Sequence, residues 1–476
     1  MRTQLDAWLD THASDFLASL QNVLRIPSVK DDTTVNPSAN APFGQPIADA
    51  LDYTLSVCDA HGLATENFAG FAGHADFGAG TEIAAMLGHL DVVPVGKGWT
   101  HDPWSATLTD DDYLWGRGTS DDKGPTFAAM WGAFAVKAVC EAQGITLSRR
   151  VRLIFGCDEE SGWECMAHYF GAAGQAKPTV AFTPDAMFPL VFAEKGSFTG
   201  VVEKILTESS ADVRLVSFAS GQRPNMVPDD ATAVLVGNAE ALGMMAFVLK
   251  PMPGISATLD GDTLTVLAKG KAAHGSTPDE GDNAAVKLAR ALTSNLSAFD
   301  DLDGAASEWL ADVVRRGAST TGAANGIDCT DEVTGALTCN MGVVSLAGGV
   351  AQTTFNVRYP ATLDGETILQ NFRDSAKAGG YDVVDLKHTP PLYVPVDAEP
   401  VRTLLRVYRE HTGDQTPPKT MGGRTYATSV APVGVAFGAM MEGDLELAHQ
   451  ADERVTVARL IMCAKIYAQA LYEMAK

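Results

Sequence analysis

Glu82-Ile83-Ala84-Ala85-Met86-Leu87-Gly88-His89-Leu90-Asp91-Val92-Val93-Pro94 is the stretch whose reading decides the fold. Its apolar run, Glu82 to Leu87, has the length of a buried strand and ends in a histidine and an aspartate. Two later stretches repeat the arrangement. Val151 to Phe155 is followed by Asp158, Glu159 and Glu160, and Val180 to Phe182 by Asp185 in Thr183-Pro184-Asp185-Ala186. Between the first two strands the spacing predicts a helix from Pro125 to about Ala142. Strands alternating with helices imply an α/β fold with a mixed, mainly parallel sheet flanked by helices. In such open sheets ligands bind beyond the carboxyl ends of the strands, where residues far apart in sequence meet.

Outward from this core, Phe16, Leu20, Val23 and Leu24 share one face of a predicted helix from Ser14 to Arg25, which Pro27 stops. From Glu194 the texture changes. Strand-like runs (Phe198 to Val202, Ala231 to Val236, Leu264 to Ala268, Thr353 to Val357) and helices (Ala239 to Leu249, Asn283 to Leu296, Thr367 to Ala378) suggest a separate α+β unit. Within it, residues 297–335 are polar and rich in Gly and Asp, and read as an insertion. Lys195-Gly196 and Pro390-Pro391 are the expected crossings, glycine supplying freedom and the prolines stiffness. A strand at Val433 to Phe437 and a final helix from about Glu453 to Met474 would complete the first domain. The expected division is a discontinuous catalytic domain, 1–193 with 391–476, and an inserted α+β lid domain, 194–390.

The totals agree with two domains, since 476 residues exceed what one hydrophobic core serves. A net charge of −24, from 59 acidic and 35 basic side chains, opposes binding to nucleic acid and to anionic membranes. No window approaches the ~20 apolar residues of a membrane span. Asp6, Asp10 and Asp15 interrupt the opening residues, against a secretory signal. Seven cysteines without a C-x-x-C pair suggest reduced thiols rather than a disulfide framework, and hence a cytoplasmic protein.

The polar clusters carry the chemistry. His89-x-Asp91 pairs an imidazole, a good ligand for zinc-like metals, with a carboxylate that could fix its tautomer. Gly116-Arg117-Gly118-Thr119-Ser120-Asp121-Asp122-Lys123-Gly124 holds a carboxylate in a glycine-flanked turn ahead of Pro125, and a carboxylate can bridge two cations. Asp122 reads as an ordinary helix cap with an acidic first turn. Asp158, Glu159 and Glu160 crowd like charges at a strand end, which is costly unless a cation or a proton is present. Asp185, and His449 in Ala448-His449-Gln450-Ala451-Asp452-Glu453, complete the set. Singly, each admits a plainer reading as a solvated loop or a turn residue. Together they point to a hydrolytic metal centre.

The ordered series G-H-x-D-x-V-P, G-R-G-x-x-D-D-K-G, Glu-Glu, Asp and a late His, from Gly88 to His449, resembles the dinuclear zinc exopeptidases and deacylases that include carboxypeptidase G, succinyl-diaminopimelate desuccinylase and carnosinase-type dipeptidases. Trp99-Thr100-His101-Asp102-Pro103-Trp104, and Pro184-Asp185-Ala186 through Glu194-Lys195-Gly196, are similar to the bacterial dipeptidase V (Xaa-His dipeptidase) branch. The resemblance implies two divalent metal ions, zinc or else cobalt or manganese. His89 and Asp185 would bind one and Glu160 and His449 the other, with Asp121 bridging. Asp91 would orient His89, and Glu159 would be the general base. Asn225, Arg358 and His274, the last in Ala273-His274-Gly275-Ser276, would reach the substrate, His274 steadying an oxyanion and Arg358 a free carboxylate. Gly423 and Thr425 fall in Gly422-Gly423-Arg424-Thr425-Tyr426, which resembles a substrate-facing loop, although Arg424 stands where a glycine is more usual. The implied substrate is a small unblocked peptide. Implied alternatives are an N-acyl or N-succinyl amino acid deacylase, or a protein that binds metal and peptide without catalysis. The enlarged lid resembles those of monomeric dipeptidases, so a monomer is expected.

Overall fold

The computed structural model describes residues 1–207, 211–294 and 302–476. These form two compact units, Met1–Ala193 with Leu392–Lys476, and Glu194–Pro391.

In the first unit the strand Ile83–His89 is buried along its whole length, as a strand covered on both faces must be. It lies between Arg150–Gly156 and Val180–Thr183 and runs parallel to both. Gly434–Ala436 adds a fourth parallel strand beside Val180–Thr183. The edges turn antiparallel. Ala72–Phe77 pairs with Arg150–Gly156 in that sense, and Ala64–Phe68 continues the edge as a hairpin. The fold is therefore a mixed sheet with a parallel centre, flanked by helices, and a separate antiparallel sheet in the other unit.

Two helices, Lys123–Gln143 and Val457–Ala475, pack together against this sheet. Their closeness explains two glycines. A Cβ on Gly132 would lie 2.8 Å from the Ala468 nitrogen, and one on Gly88 would lie 1.9 Å from Thr126 Oγ1. Only glycine lets the backbones approach so far.

In the second unit eight strands form one antiparallel sheet in the order Ile255–Asp260, Thr263–Lys269, Asp230–Gly237, Val213–Ser220, Thr338–Ala347, Val350–Tyr359, Gly196–Ile205 and Asp382–Thr389. The helices Ala239–Leu249, Ala284–Leu292, Gly304–Gly317 and Gly365–Ala378 supply much of its apolar core.

Several expectations are corrected. The stretch 297–335 is not a simple insertion: within it Gly304–Gly317 is an amphipathic helix whose Trp309, Leu310 and Val313 are buried in the unit's core. Residues 297–301, and the expected helix end at Leu296, lie outside the described residues, and the helix itself stops at Leu292. The final helix begins at Val457, not near Glu453. Arg454–Thr456 pairs instead with Tyr113–Trp115, and the Thr456 side chain accepts from the Arg459 amide to cap the helix. No helix among the described residues is long and apolar enough to cross a membrane.

Candidate metal centre

The centre is built at the carboxyl ends of the parallel strands of the first unit. His89 closes its strand with 1% of its surface exposed. Its Nδ1 lies 2.9 Å from the Asp91 carbonyl oxygen. A carbonyl only accepts, so Nδ1 carries a proton and Nε2 is the ring atom that can offer a lone pair to a cation. Nε2 faces Asp121 Oδ1 at 3.1 Å and Asp185 Oδ2 at 3.9 Å.

Asp121 is the hinge of the arrangement. Its second oxygen, Oδ2, lies 3.1 Å from His449 Nε2, which is also 3.0 Å from Glu160 Oε1. Two groups of metal-capable side chains thus share one carboxylate: His89, Asp121 and Asp185, and Asp121, Glu160 and His449. In each, the ligand atoms lie within 4.8 Å of one another.

The supporting loops are tied by hydrogen bonds. The Asp91 carboxylate accepts from the Glu159 amide at 3.1 Å and the Glu160 amide at 3.0 Å. It sits 3.6 Å from His89 Nδ1, so the closer partner of the imidazole is the Asp91 backbone, while the carboxylate holds the Glu159–Glu160 turn. Buried Asp158 accepts from the Gly162 and Glu164 amides, from Ser161 Oγ and from Lys30 Nζ. Trp163 Nε1 donates to the Glu159 carbonyl at 2.7 Å. Asp122 occupies the N-cap position of Lys123–Gln143 without capping it; its Oδ2 accepts from the His89 amide and from Thr126 Oγ1.

The charges of this cluster ask for cations. Burial, reinforced by Glu160, Asp91 and Asp121, pushes the Glu159 carboxyl well above its usual range, and burial with Asp121 does the same to Asp185. Hydrogen bonds to Asp121 and Glu160 raise His449 to about 10. Asp121 shifts the other way: burial opposes its charge, but His449 and His89 hold its carboxyl well below the ordinary value. Each shift draws positive charge toward the same point, which divalent cations would supply. Oxygen and nitrogen donors with no thiolate fit such ions.

The remaining site candidates fall into two places. Asn225, His274 and Arg358 belong to the second unit. Met226 and His274 form a β-bridge, and the Gly275 amide donates to the Asn225 carbonyl at 2.7 Å. The Ser276 amide donates to His274 Nδ1, so His274 carries its proton on Nε2. Arg358 pairs with Thr338 across the ladder, two residues beyond the Asn340–Asn356 pair, whose Asn340 donates to the Pro224 and Met226 carbonyls. Gly423 and Thr425 lie in the first unit. Thr425 Oγ1 accepts from the Ala427 amide, starting the short helix Tyr426–Val430. That turn brings the Tyr426 ring to 6.2 Å from the His89 ring. Arg424 stacks on Trp163 with its guanidinium carbon 3.6 Å from the ring centroid.

Sequence reasoning missed Glu453, Arg117 and Trp163 as parts of this framework. Glu453 stood in view four residues after His449. Its burial against Arg117 leaves no mark in periodicity or spacing.

A family model described as peptidase family M20/M25/M40 matches residues 85–473. The chain is 36% identical over 469 residues, 97% of either chain, to a Bacillus subtilis (strain 168) protein named "Putative dipeptidase YtjP". It is 35% identical over 473 residues, again 97% of both, to a Staphylococcus aureus (strain USA300) protein also named as a dipeptidase of that kind. Among solved structures, human carnosine dipeptidase 1 superposes with a TM-score of 0.55 at 14% identity, covering 99% of this chain and 98% of that one. Aminoacylhistidine dipeptidase from Vibrio alginolyticus gives 0.53 at 14%, covering 96% of each. The last two show a shared fold, while the match over most of the length shows descent: the chain belongs to peptidase family M20/M25/M40.

Proposed function

We propose that this protein is a dipeptidase that hydrolyses short unblocked peptides, Xaa-His and β-alanyl-histidine among them, using two divalent cations. The observation that carries the reading is the division of labour on Asp121, with Oδ1 turned to His89 and Oδ2 to His449. A carboxylate that presents its two oxygens to two ligand groups is arranged to bridge a cation pair. The dipeptidase names of relatives matched over nearly their whole length support the substrate class.

In this reading His89 and Asp185 hold one cation, Glu160 and His449 the other, and Asp121 both. Zinc suits the donor set, with cobalt or manganese as alternatives. When bound, the cations make water easier to deprotonate and polarise the scissile carbonyl. Glu159 takes the proton from the attacking water and returns it to the departing amine. The hydrogen bonds from its own and the next amide to Asp91 hold it in place for both transfers. His274, protonated on Nε2, is assigned to the oxyanion and Arg358 to the peptide's free carboxylate. Asn225, Gly423 and Thr425 are assigned to the substrate's remaining polar groups.

The test is a parallel assay of protein reconstituted with zinc, cobalt or manganese against β-Ala-His, Ala-His, Ala-Ala, and N-acetyl and N-succinyl amino acids. Hydrolysis of the free dipeptides well above the blocked compounds is expected. The reverse order would make the protein a deacylase. Two bound metals with no hydrolysis of any substrate would make it a binding protein.

A further inference from the structure

We propose that Glu453 is a positioning residue of the metal centre, fastening the loop that carries Asp121 to the segment that carries His449. Its carboxylate is fully buried. Oε1 accepts from the Ser120 amide at 2.8 Å, from Ser120 Oγ at 3.0 Å and from the Asp121 amide at 3.2 Å. Oε2 accepts from Arg117 Nη1 at 2.6 Å, and the Gly118 amide donates to both oxygens at 3.1 Å. The Glu453 carbonyl accepts from the Gly116 amide at 3.1 Å. One residue therefore grips the turn 116–121 along its length, and the grip ends on the backbone of the shared ligand itself.

The other side of the clamp is equally short. His449 precedes Glu453 by four residues, and the intervening Asp452 is anchored by its carboxylate to the Thr100 amide at 2.6 Å and Thr100 Oγ1 at 2.7 Å. The separation of Asp121 from His449 is thus set by a brief, hydrogen-bonded path.

Stability alone does not favour this design. A buried ion pair stabilises a fold little more than well-packed apolar residues of the same volume. Here it also adds a carboxylate beside a cluster that already repels anions. What a carboxylate supplies and an apolar side chain cannot is a multiple acceptor that aligns consecutive amides. Partners of metal ligands act in this way, and their loss lowers metal affinity or activity by about 10- to 100-fold.

The inference rests on the cation-pair reading above and is tested apart from peptide hydrolysis. Wild type, S120A, E453Q and R117Q/E453Q are loaded with Co(II). Visible absorption, metal content per chain, cobalt affinity and apo thermal midpoint are measured, together with kcat and KM. E453Q and the double variant should lose about 10- to 100-fold in cobalt affinity or kcat, with KM little changed and an altered cobalt spectrum. S120A, which loses one of the bonds, should shift the spectrum the same way by less while melting like wild type. A folded E453Q or R117Q/E453Q with wild-type spectrum and affinity overturns the proposal. So does loss of fold in both accompanied by a wild-type spectrum in S120A, which would make Glu453 a stabilising residue only. If wild type cleaves no peptide, the proposed activity fails, and the cobalt spectra still decide the role of Glu453.

Discussion

Asp121 presents an oxygen to each of two histidines, and an amide of the same size cannot do so. Asp121→Asn replaces one oxygen by a donor NH2, so metal content should fall from two per chain to one or fewer, as measured by elemental analysis after gel filtration. Glu159→Gln tests a different function. It should keep two metals while kcat drops by about 100- to 10,000-fold, and a variant with near-full turnover would remove Glu159 as the base. At this scale His89, Glu160 and Asp185 stood out as candidates because they follow apolar strands, and Asp121 because it sits in a glycine-flanked turn, while His449 stands apart from both signals. Finer roles were not. The pairing of His89 Nδ1 with the Asp91 carbonyl, and of the Asp91 carboxylate with two amides of a distant loop, depends on how two strand ends lie side by side.

Among the elements, the central strand depends on Gly88, whose place is crowded by Thr126 of the neighbouring helix. Gly88→Ala should destabilise the first unit by about 1–3 kcal/mol through overpacking, read as a lower urea midpoint at unchanged slope. The helix Gly304–Gly317 makes a sharper point. Trp309→Ala should cost about 3–5 kcal/mol, whereas an insertion outside the core would tolerate it. Composition hid this helix. Its Gly- and Asp-rich surroundings read as loop, and its apolar residues recur over too few turns to stand out until the sheet beneath them is known. The parallel strands were legible because they are continuous apolar runs. The edge hairpin Ala64–Phe68 and Ala72–Phe77 was not, being half polar. That hairpin also carries a pH response. Burial, with Arg152, pushes the His74 imidazole down to about 4, and its Nδ1 pairs with the Tyr169 hydroxyl. The unfolded chain binds this proton near pH 6.5. The neutral ring's contribution is therefore complete above that pH, falls away as pH drops toward 4, and changes no further below it. His74→Gln should flatten that part of the stability curve by about 2 kcal/mol, measured by urea unfolding at pH 7, 5.5 and 4.5.

The whole molecule is two compact units, with the outer segments of the chain folded together into the first. The units divide between Ala193 and Glu194 and between Pro391 and Leu392, close to the glycine and the proline pair expected as crossings at Lys195-Gly196 and Pro390-Pro391, while the order of the strands between them emerged only from the sheet. The proposed cations join the ends of three strands to a loop near residue 449, so removing them should loosen the first unit as a whole. A chelator should lower its thermal midpoint, and added zinc should restore it in a concentration-dependent way. Light scattering should give the mass of one chain; a dimer would displace the expectation of a monomer. The order of the proposed ligands along the chain would also govern when a cation pair can form during synthesis. His89, Asp121, Glu160 and Asp185 are all translated early, but the imidazole of the second group arrives only with His449. Until that late residue has left the ribosome, the growing polypeptide carries four of the five proposed ligands and only the first group, His89, Asp121 and Asp185, so a product that stops short of it should hold no cation pair.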